Sequence, residues 1–426
     1  MASEETGIAD YDTSAYVCNG FEVTNIYFVY NANDVNEPKK VYKPAYCHQV
    51  YNANENIFGY KDLQVNIYYN GFCWRPYLEI KYKEKLKDNT HYGIKADNVM
   101  DMLKQWLPED MCTDKDEFLK QIAHQKSKLL GDIKKKFDFE INSDISKFTV
   151  TQITNIEPEF RTLHDKFERV LVWYIDAANL IDLDDPRWTY FYLYEHKNNI
   201  VYPIGFCTVY MFFKYPDKNR ARISQFFILP SYQRLGLGTK LLEAVYEVFE
   251  TQENIFDITV EDPSENFRNL RDVMDCKLLS NLPEFSEDII LQKPFYKAAA
   301  EVAGKKFKIY SEQAQRVYEI LNLYYAGKSD EKLQEWCRRI IARLTASLKK
   351  NTCPPRKKKK LEAIVNQIEK INHSADNEII LKRLEIFVEE ILPVVHKLRS
   401  LNEKEEVIKN IGELKRIWDK MQITFD

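Results

Sequence analysis

The segment formed by residues 204–263 constrains the fold more strongly than any other part of the sequence. Two apolar runs, residues 204–214 and 222–229, are rich in β-branched and aromatic side chains and predict strands, with turn residues at 216–219 between them. A glycine-containing loop, an amphipathic run and a short apolar run at residues 255–260 follow. The segment therefore predicts the order strand, turn, strand, loop, helix and strand, which is typical of an α/β sheet domain.

The loop before the predicted helix runs from Gln233 to Thr239 and contains Gly236 and Gly238. A loop that opens a helix leaves several backbone N–H groups without partners, and the helix dipole adds positive potential, so this place favours a phosphate group. The two glycines lack Cβ atoms and let a pyrophosphate approach the backbone. By itself the Gln-x-x-Gly-x-Gly string is a weak signal, because helices also begin after glycines for packing reasons.

Several separate strings resemble one known family. The string Gln233-x-x-Gly236-x-Gly238, placed between a predicted strand and a predicted helix, is similar to the acetyl-CoA loop of the GCN5-related N-acetyltransferases. More specific strings, in an unchanged order, resemble the type B histone acetyltransferase catalytic subunits; they lie at residues 173–176, 182–188, 215–218, 222–225 and 257–264. The resemblance extends over residues 20–283.

The resemblance implies an α/β (α+β) fold, with the mixed central sheet of the GCN5-related N-acetyltransferases, an N-terminal α+β domain and a C-terminal helical domain. We expect an N-terminal substrate-binding domain at residues 1–135 and an acetyl-CoA-binding acetyltransferase domain at 136–290. The helical domain is expected at residues 291–426.

Local patterns add detail to the outer domains. Alternating apolar residues on either side of Asn70-Gly71 predict a half-buried hairpin. Helices are expected at residues 97–107 and 113–130, with Thr113 as a cap for the second. Apolar stripes at helical spacing predict a small bundle near the carboxyl terminus. These stripes are Val317, Ile320, Leu321 and Tyr324; Leu333, Trp336, Ile340 and Leu344; and Leu361, Ile364, Val365, Ile368 and Ile371.

The resemblance implies acetyl-CoA as cosubstrate, and the sequence indicates no metal site. The glycine loop is expected to hold the pyrophosphate, while the edge of the preceding strand pairs with the pantetheine amides. A backbone N–H near Ile228 is expected to polarise the thioester carbonyl. The predicted cofactor-binding residues are Phe226, Phe227, Ile228, Gln233, Arg234, Leu235, Gly236, Leu237, Gly238, Thr239, Ser264 and Phe267.

The acceptor chemistry requires a base. A free lysine amine has a pKa of about 10.4, so only about one in a few thousand is neutral at pH 7. A carboxylate near the amine can take its proton, directly or through a water molecule. The resemblance assigns this role to Glu261, with Asp262 and Asp176 as supporting carboxylates, although the family usually has a glutamate where Asp176 stands. From the residues alone, Glu261-Asp262-Pro263 is equally an N-cap turn before a helix, in which Asp262 or Ser264 can be the cap.

A second group of residues is predicted to bind the peptide substrate. Asp182, Asp184 and Asp185 precede Trp188, and acids beside aromatics suit a lysine-rich peptide. Without the resemblance, a polar loop with one buried tryptophan is the favoured interpretation. The resemblance places six substrate-binding residues, with Ala53 and Asn54 at positions where the family has acids. They are Asn54, Glu55, Trp188, Tyr210, Met211 and Phe212.

Composition sets limits on the partners. The chain carries 61 Lys and Arg against 65 Asp and Glu, and its net charge of −4 argues against general DNA affinity. No apolar run has the length of a membrane span, and residues 1–12 lack the core of a signal peptide. The eight cysteines show no Cys-x-x-Cys pattern, which favours reduced thiols in the cytoplasm or nucleus. The basic run at residues 356–360 fits an import signal, a nucleic-acid patch or a solvated helix start.

The resemblance further implies the amino-terminal tail of newly made histone four, accompanied by its histone partner, as the substrate, and a WD-repeat histone-binding propeller as a partner subunit. Two other functions stay open on the residues themselves. One is acetylation of a different amine, such as a protein N-terminus or a small molecule, because the glycine loop is equally compatible with it. The other is a catalytically silent histone-binding chaperone built on the same fold.

Overall fold

The computed structural model describes residues 14–87, 95–124, 128–141, 144–197, 200–352, 362–402 and 412. Contacts group the chain into two units. The first unit comprises Met1–Thr208 and Phe227–Leu237, and the second comprises Val209–Phe226 and Gly238–Asp426. The division into domains at residues 135 and 290 stays a prediction.

Strands predominate up to β13, and helices alone follow it in the described residues. The described residues form thirteen strands: β1 (Val17–Asn19), β2 (Thr24–Val29), β3 (Asn56–Phe58), β4 (Tyr60–Lys61), β5 (Gln64–Asn70), β6 (Pro76–Lys81), β7 (Glu84–Lys85), β8 (Asp132–Ile141), β9 (Asp144–Ile153), β10 (Trp188–Lys197), β11 (Ile200–Lys214), β12 (Lys218–Ile228) and β13 (Ile255–Val260). The α-helices in the same ranges are α1 (Gly20–Val23), α2 (Ala32–Asn36), α3 (Val99–Lys104), α4 (Lys115–His124), α5 (Pro158–Glu168), α6 (Leu237–Glu250), α7 (Glu265–Leu279), α8 (Glu287–Gln292), α9 (Lys297–Phe307), α10 (Ser311–Ala326), α11 (Asp330–Thr352) and α12 (Glu362–Leu401).

A six-stranded mixed sheet has the order β13-β12-β11-β10-β9-β8. Strands β12 and β13 are parallel, with Ala221 opposite Ile258, whereas β9 pairs antiparallel with both β8 and β10. This sheet confirms the predicted mixed α/β fold. The strands predicted at residues 204–214 and 222–229 begin four residues earlier than expected, and β13 has the predicted bounds.

The predicted hairpin is present as β5 and β6, which pair antiparallel with Val65 opposite Ile80. The expectation that it is half-buried was wrong, because both faces of β5 are covered. Tyr68 lies in a core cluster with Phe118 of α4. On the opposite face, the Trp173 indole N–H donates a hydrogen bond of 3.0 Å to the Tyr69 hydroxyl. Strand β5 is also central in its own sheet, because β2 pairs parallel with it on the side away from β6.

The two helices expected after the hairpin are shorter than predicted. Helix α3 begins after Asn98, whose side chain accepts a hydrogen bond from the Asp101 N–H. Helix α4 begins two residues after Thr113, and the Asp114 carboxylate accepts the Glu117 N–H at 2.8 Å. The N-cap residue is therefore Asp114, whose negative charge also interacts favourably with the positive end of the helix dipole.

The carboxyl-terminal region is helical, as predicted. The stripes of α10 and α11 are buried throughout, including Tyr324 and Trp336. The stripe that begins at Leu361 and the basic run at 356–360 lie outside the residues whose side chains are described. Charged groups are also buried here: the Arg316 Nε donates to the Asp272 carboxylate at 2.8 Å, joining α10 to α7.

Candidate active site

The glycine loop of the first unit has an irregular backbone that ends where α6 begins at Leu237. Arg234 and Gly236 both have left-handed backbones, with φ of +63° and +90°. The Gln233 side-chain amide donates to the Ile228 carbonyl at 2.8 Å, and the Leu229 N–H donates to the Ile204 carbonyl at 2.9 Å. The loop is therefore held to strands at its start. Gly238 and Thr239 lie in the first helical turn rather than in the loop.

Gly236 is the residue of the loop that depends most on having no side chain. A Cβ atom at this position would lie 3.2 Å from Cζ of Phe139, and φ of +90° is a conformation that L side chains rarely adopt. Leu237, the next residue, is fully buried and anchors the start of α6. The backbone at Gly236 is thus exposed and lies directly before a helix start, where the first N–H groups have no partner within the helix.

Glu261 lies in the second unit, directly after the last residue of β13. Its N–H donates to the Ile223 carbonyl at 2.9 Å, and its Oε2 accepts a hydrogen bond of 2.7 Å from the Ser224 hydroxyl. The carboxylate is nevertheless exposed, so it remains accessible to a reactant. Asp262 is also exposed and has φ of +32°, which turns the chain away from the strand.

The helix cap in this segment belongs to Ser264. Its hydroxyl accepts the Phe267 N–H at 3.3 Å at the start of α7. Of the two predicted alternatives the structure therefore selects Ser264 and leaves Glu261 and Asp262 outside the helix. Phe267 packs against Phe226 with ring centroids 4.8 Å apart, so two predicted cofactor-contact residues lie together.

The aromatic residues predicted to bind the substrate lie in both units. In the second unit, the rings of Tyr210 and Phe212 are 4.6 Å apart, and the Arg222 guanidinium lies 4.7 Å from the centre of the Phe212 ring. Met211, the residue between Tyr210 and Phe212, is half-buried. In the first unit, Trp188 is the half-buried first residue of β10.

Two carboxylates of the first unit, those of Asp176 and Glu55, lie beside His48, which sequence reasoning missed. The His48 Nε2 lies 3.3 Å from Oδ1 of Asp176, and its Nδ1 lies 3.8 Å from Oε1 of Glu55. The structure thus brings two predicted site residues to opposite sides of one imidazole. Asn54 is exposed, and its N–H donates to the Asn52 side chain at 3.0 Å. Nothing in the local sequence distinguishes His48 from the other histidines.

Three family profiles match this chain. The profile described as "Histone acetyl transferase HAT1 N-terminus" matches residues 16–176, the "Acetyltransferase (GNAT) family" profile matches 150–270, and "Histone acetyltransferase type B catalytic subunit, C-terminal" matches 271–323. The histone acetyltransferase type B catalytic subunit of Rattus norvegicus is 32% identical over 395 residues, which are 90% of this chain and 94% of that protein. The chain belongs to the type B histone acetyltransferase catalytic subunit family.

Other members support the same assignment. The subunit of Mus musculus is 31% identical over 416 residues, covering 93% of this chain and 99% of that protein, and the subunit of Homo sapiens is 31% identical over 395 residues, covering 90% and 94%. Membership makes the chain an acyltransferase of the histone acetyltransferase class and associates it with chromatin and the nucleus. It also confirms the resemblance drawn from the sequence strings, and the acetyltransferase profile implies acetyl-CoA as acetyl donor.

The acidic side chains at residues 182–185 accept hydrogen bonds from groups of the same chain. The Arg187 guanidinium donates to both carboxylate oxygens of Asp185, and Arg161 donates to Asp184 at 2.6 Å. The Asp184 N–H in turn donates to the Asp182 side chain at 2.9 Å. Because arginines of the same chain already neutralise two of the acids, the segment fits a structured polar loop better than a patch that attracts peptide lysines.

Two cysteines of the acetyltransferase region are core residues. Cys207 and Cys276 are fully buried, and burial raises the pKa of both thiols well above the usual value. A protonated, buried thiol is a poor nucleophile, so neither carries the acetyl group. Within the described ranges, no three His, Cys, Asp or Glu side chains are grouped to hold a metal ion. The same part of the chain contains no helix with the length and apolar character of a membrane span.

Proposed function

We propose that this chain transfers acetyl from acetyl-CoA to lysine side chains in the amino-terminal tail of newly synthesised histone four. Transfer is direct, within a ternary complex, and Glu261 is the general base. The hydrogen bond from Ser224 to Glu261 is the observation that carries this proposal, because it orients an exposed carboxylate at a strand end. Family membership supports a histone as the acceptor.

The base is needed because the acceptor amine arrives protonated. Leaving that protonation uncorrected at pH 7 costs about 4–5 kcal/mol in the barrier, and a positioned carboxylate removes much of this cost. Oε2 of Glu261 is engaged by Ser224, so Oε1 takes the proton. Asp262 and Asp176 act as supporting carboxylates that attract the cationic amine before it is deprotonated.

The donor is held by the chain around the glycine loop. The loop and first turn, from Gln233 through Arg234, Leu235 and Gly236 to Thr239, hold the pyrophosphate. The exposed glycine backbone at the start of α6 supports this role, because Gly236 has no side chain to keep a phosphate oxygen from the N–H groups of the helix start. Phe226, Phe227 and Ile228 pair with the pantetheine, a backbone N–H near Ile228 polarises the thioester carbonyl, and Ser264 and Phe267 contact the cofactor.

The acceptor and partner assignments complete the proposal. Trp188, Tyr210, Met211 and Phe212 contact the aliphatic stem of the target lysine, while Asn54 and Glu55 contact the histone tail. A WD-repeat histone-binding propeller is the partner subunit, and the enzyme acts in the cytoplasm as well as in the nucleus. Neither nucleic acid nor a membrane is a partner in this scheme.

The rate of acetyl transfer as a function of pH tests the base. We expect Glu261→Gln to lower kcat by about 100-fold at pH 7 and by less at pH 9 and above, where more of the amine is already neutral. Acetyl-CoA affinity, measured by calorimetry, should stay at the wild-type value. Unchanged activity of Glu261→Gln at neutral pH rejects the general-base role.

A panel of acceptors tests the substrate. Histone four tail peptides should be acetylated with a kcat/KM well above those of protein N-terminal peptides and small amines. A preference for small amines or N-termini would replace the histone-tail proposal. Acetyl-CoA binding without turnover of any acceptor would instead indicate the silent chaperone.

A further inference from the structure

His48 occupies a place between two carboxylates that the proposed function uses. Its Nε2 lies 3.3 Å from Asp176 and its Nδ1 lies 3.8 Å from Glu55. The side chains of His48 and Glu55 are 35% and 28% exposed, whereas that of Asp176 is 64% exposed. The imidazole therefore contacts Asp176 on one side and leaves most of that carboxylate open.

The backbone on both sides of this cluster is held in place. The Ala45 and Tyr46 N–H groups both donate to the Trp173 carbonyl, at 2.7 and 3.2 Å. The Gln49 side chain accepts from the Ala178 N–H at 3.0 Å and donates to the Ala178 carbonyl at 3.1 Å. The segments that carry His48 and Asp176 are thus joined at both ends.

Glu55 is held in a similar way. Its carbonyl accepts the Gly20 N–H at 2.7 Å, and its N–H donates to the Asn52 carbonyl at 2.9 Å. A Cβ atom at Gly20 would lie 3.0 Å from that Glu55 carbonyl oxygen, so the contact depends on glycine. With the backbones fixed, the orientation of the Asp176 carboxylate is decided by what its side chain contacts.

We propose that His48 is a positioning residue that holds the Asp176 carboxylate for the amine substrate, with Glu55 as its second anchor. This inference rests on the proposed role of Asp176. A neutral imidazole donates one hydrogen bond and an imidazolium donates two, so His48 can serve Asp176 in either state. An aspartate is one methylene shorter than the glutamate expected here, and an imidazole nitrogen 3.3 Å from Oδ1 favours one orientation of the carboxylate.

Two substitutions at His48 separate positioning from packing. His48→Phe keeps a ring for the edge contact with Tyr46 but removes both nitrogens. His48→Gln replaces the ring but places an amide N–H close to the position of Nε2. His124→Gln is the matched control, because His124 is an exposed histidine of the same unit whose Nδ1 contacts the Lys120 carbonyl.

Steady-state kinetics with a histone four tail peptide, together with melting temperatures, provide the test. We expect His48→Phe to raise the peptide KM about five-fold, with the acetyl-CoA KM and the melting temperature unchanged, and His48→Gln to recover most of the loss. In an Asp176→Asn background, His48→Phe should add no further increase, because the carboxylate that His48 positions is already absent. His124→Gln should match wild type.

The outcomes distinguish this inference from the proposed function. If Asp176→Asn raises the peptide KM and His48→Phe does not, the positioning role of His48 is wrong and the function stands. If His48→Phe and His48→Gln raise the peptide KM equally and both lower the melting temperature, His48 is a packing residue. If Asp176→Asn and Glu55→Gln leave the peptide KM unchanged, the roles proposed for these acids are wrong and the inference fails with them.

Discussion

The Ser224 hydroxyl donates a hydrogen bond of 2.7 Å to Oε2 of Glu261. The two residues belong to the second unit and directly follow Ile223 and Val260, the last paired residues of β12 and β13. The Glu261 N–H also donates a hydrogen bond to the Ile223 carbonyl. The exposed carboxylate is thus tied at its backbone and at one oxygen. This arrangement limits the rotamers of the proposed base before a substrate arrives.

Removing this hydroxyl should slow catalysis without removing the base. We expect Ser224→Ala to lower kcat about five-fold, because an exposed hydrogen bond to a carboxylate contributes about 1 kcal/mol. The acetyl-CoA KM should be unchanged. The measurement is kcat for peptide acetylation, with Ser280→Ala as the control, because the exposed Ser280 hydroxyl donates to the Lys277 carbonyl at the end of α7. Equal kcat for Ser224→Ala and wild type would show that the bond is not needed.

The glycine loop should tolerate no side chain at its exposed turn. We expect Gly236→Ala to weaken acetyl-CoA binding about ten-fold, since left-handed backbone costs about 1–2 kcal/mol and the new methyl meets Phe139 at 3.2 Å. Calorimetric titration with acetyl-CoA measures the change. Gly304→Ala is the control: it lies within α9, its Cβ would have an ordinary 3.6 Å contact, and we expect unchanged affinity and up to about 1 kcal/mol of added stability. Equal affinities in the two variants would contradict the loop assignment.

A buried acid in α7 should make stability depend on pH. Burial, with Asp272 nearby, raises the pKa of Asp275 to about 6, against the lowering effect of Arg271. The folded chain then holds a proton between about pH 4 and 6 that the unfolded chain has released, so the free energy of unfolding falls as pH rises across this window. Relative to Asp275→Asn, wild type should lose about 2 kcal/mol from pH 4 to pH 6.5. Urea unfolding of both proteins measures it, and a pH-independent difference would refute the raised pKa.

Arg316 and Arg338 should contribute very different amounts to the free energy of unfolding. Arg316 contacts Asp272, which is fully buried, so Arg316→Met leaves a buried charge without its cation and should cost about 3 kcal/mol or more. The Arg338–Glu335 pair is 57% and 45% exposed, so Arg338→Met should cost less than about 0.5 kcal/mol. Denaturant unfolding provides both values. Similar values for the two variants would mean that water reaches Asp272.

Much of the fold was predictable because local patterns of apolar residues indicate the strands and helices. Strand β13 has the predicted bounds, since a short apolar run ends at charged residues, and the stripes of α10 and α11 face the interior as their spacing predicted. The sequence also predicted a glycine loop before α6 and Glu261 at the end of a strand, and both lie there, while their roles stay predictions that the family resemblance implies.

The remaining features depend on contacts between segments far apart in the chain. Phe118 of α4 and Trp173 pack on opposite faces of β5, whose alternation predicted one exposed face, and no local pattern specifies those partners. Ser224 reaches Glu261 only because β12 and β13 pair in one register, and His48 reaches Asp176 only because backbone hydrogen bonds join their segments. The sequence by itself determined which chemical groups are available and the helices and strands that carry them. Tertiary structure decided which groups meet, because side-chain interactions of this kind act over a few ångströms and depend on how distant segments pack.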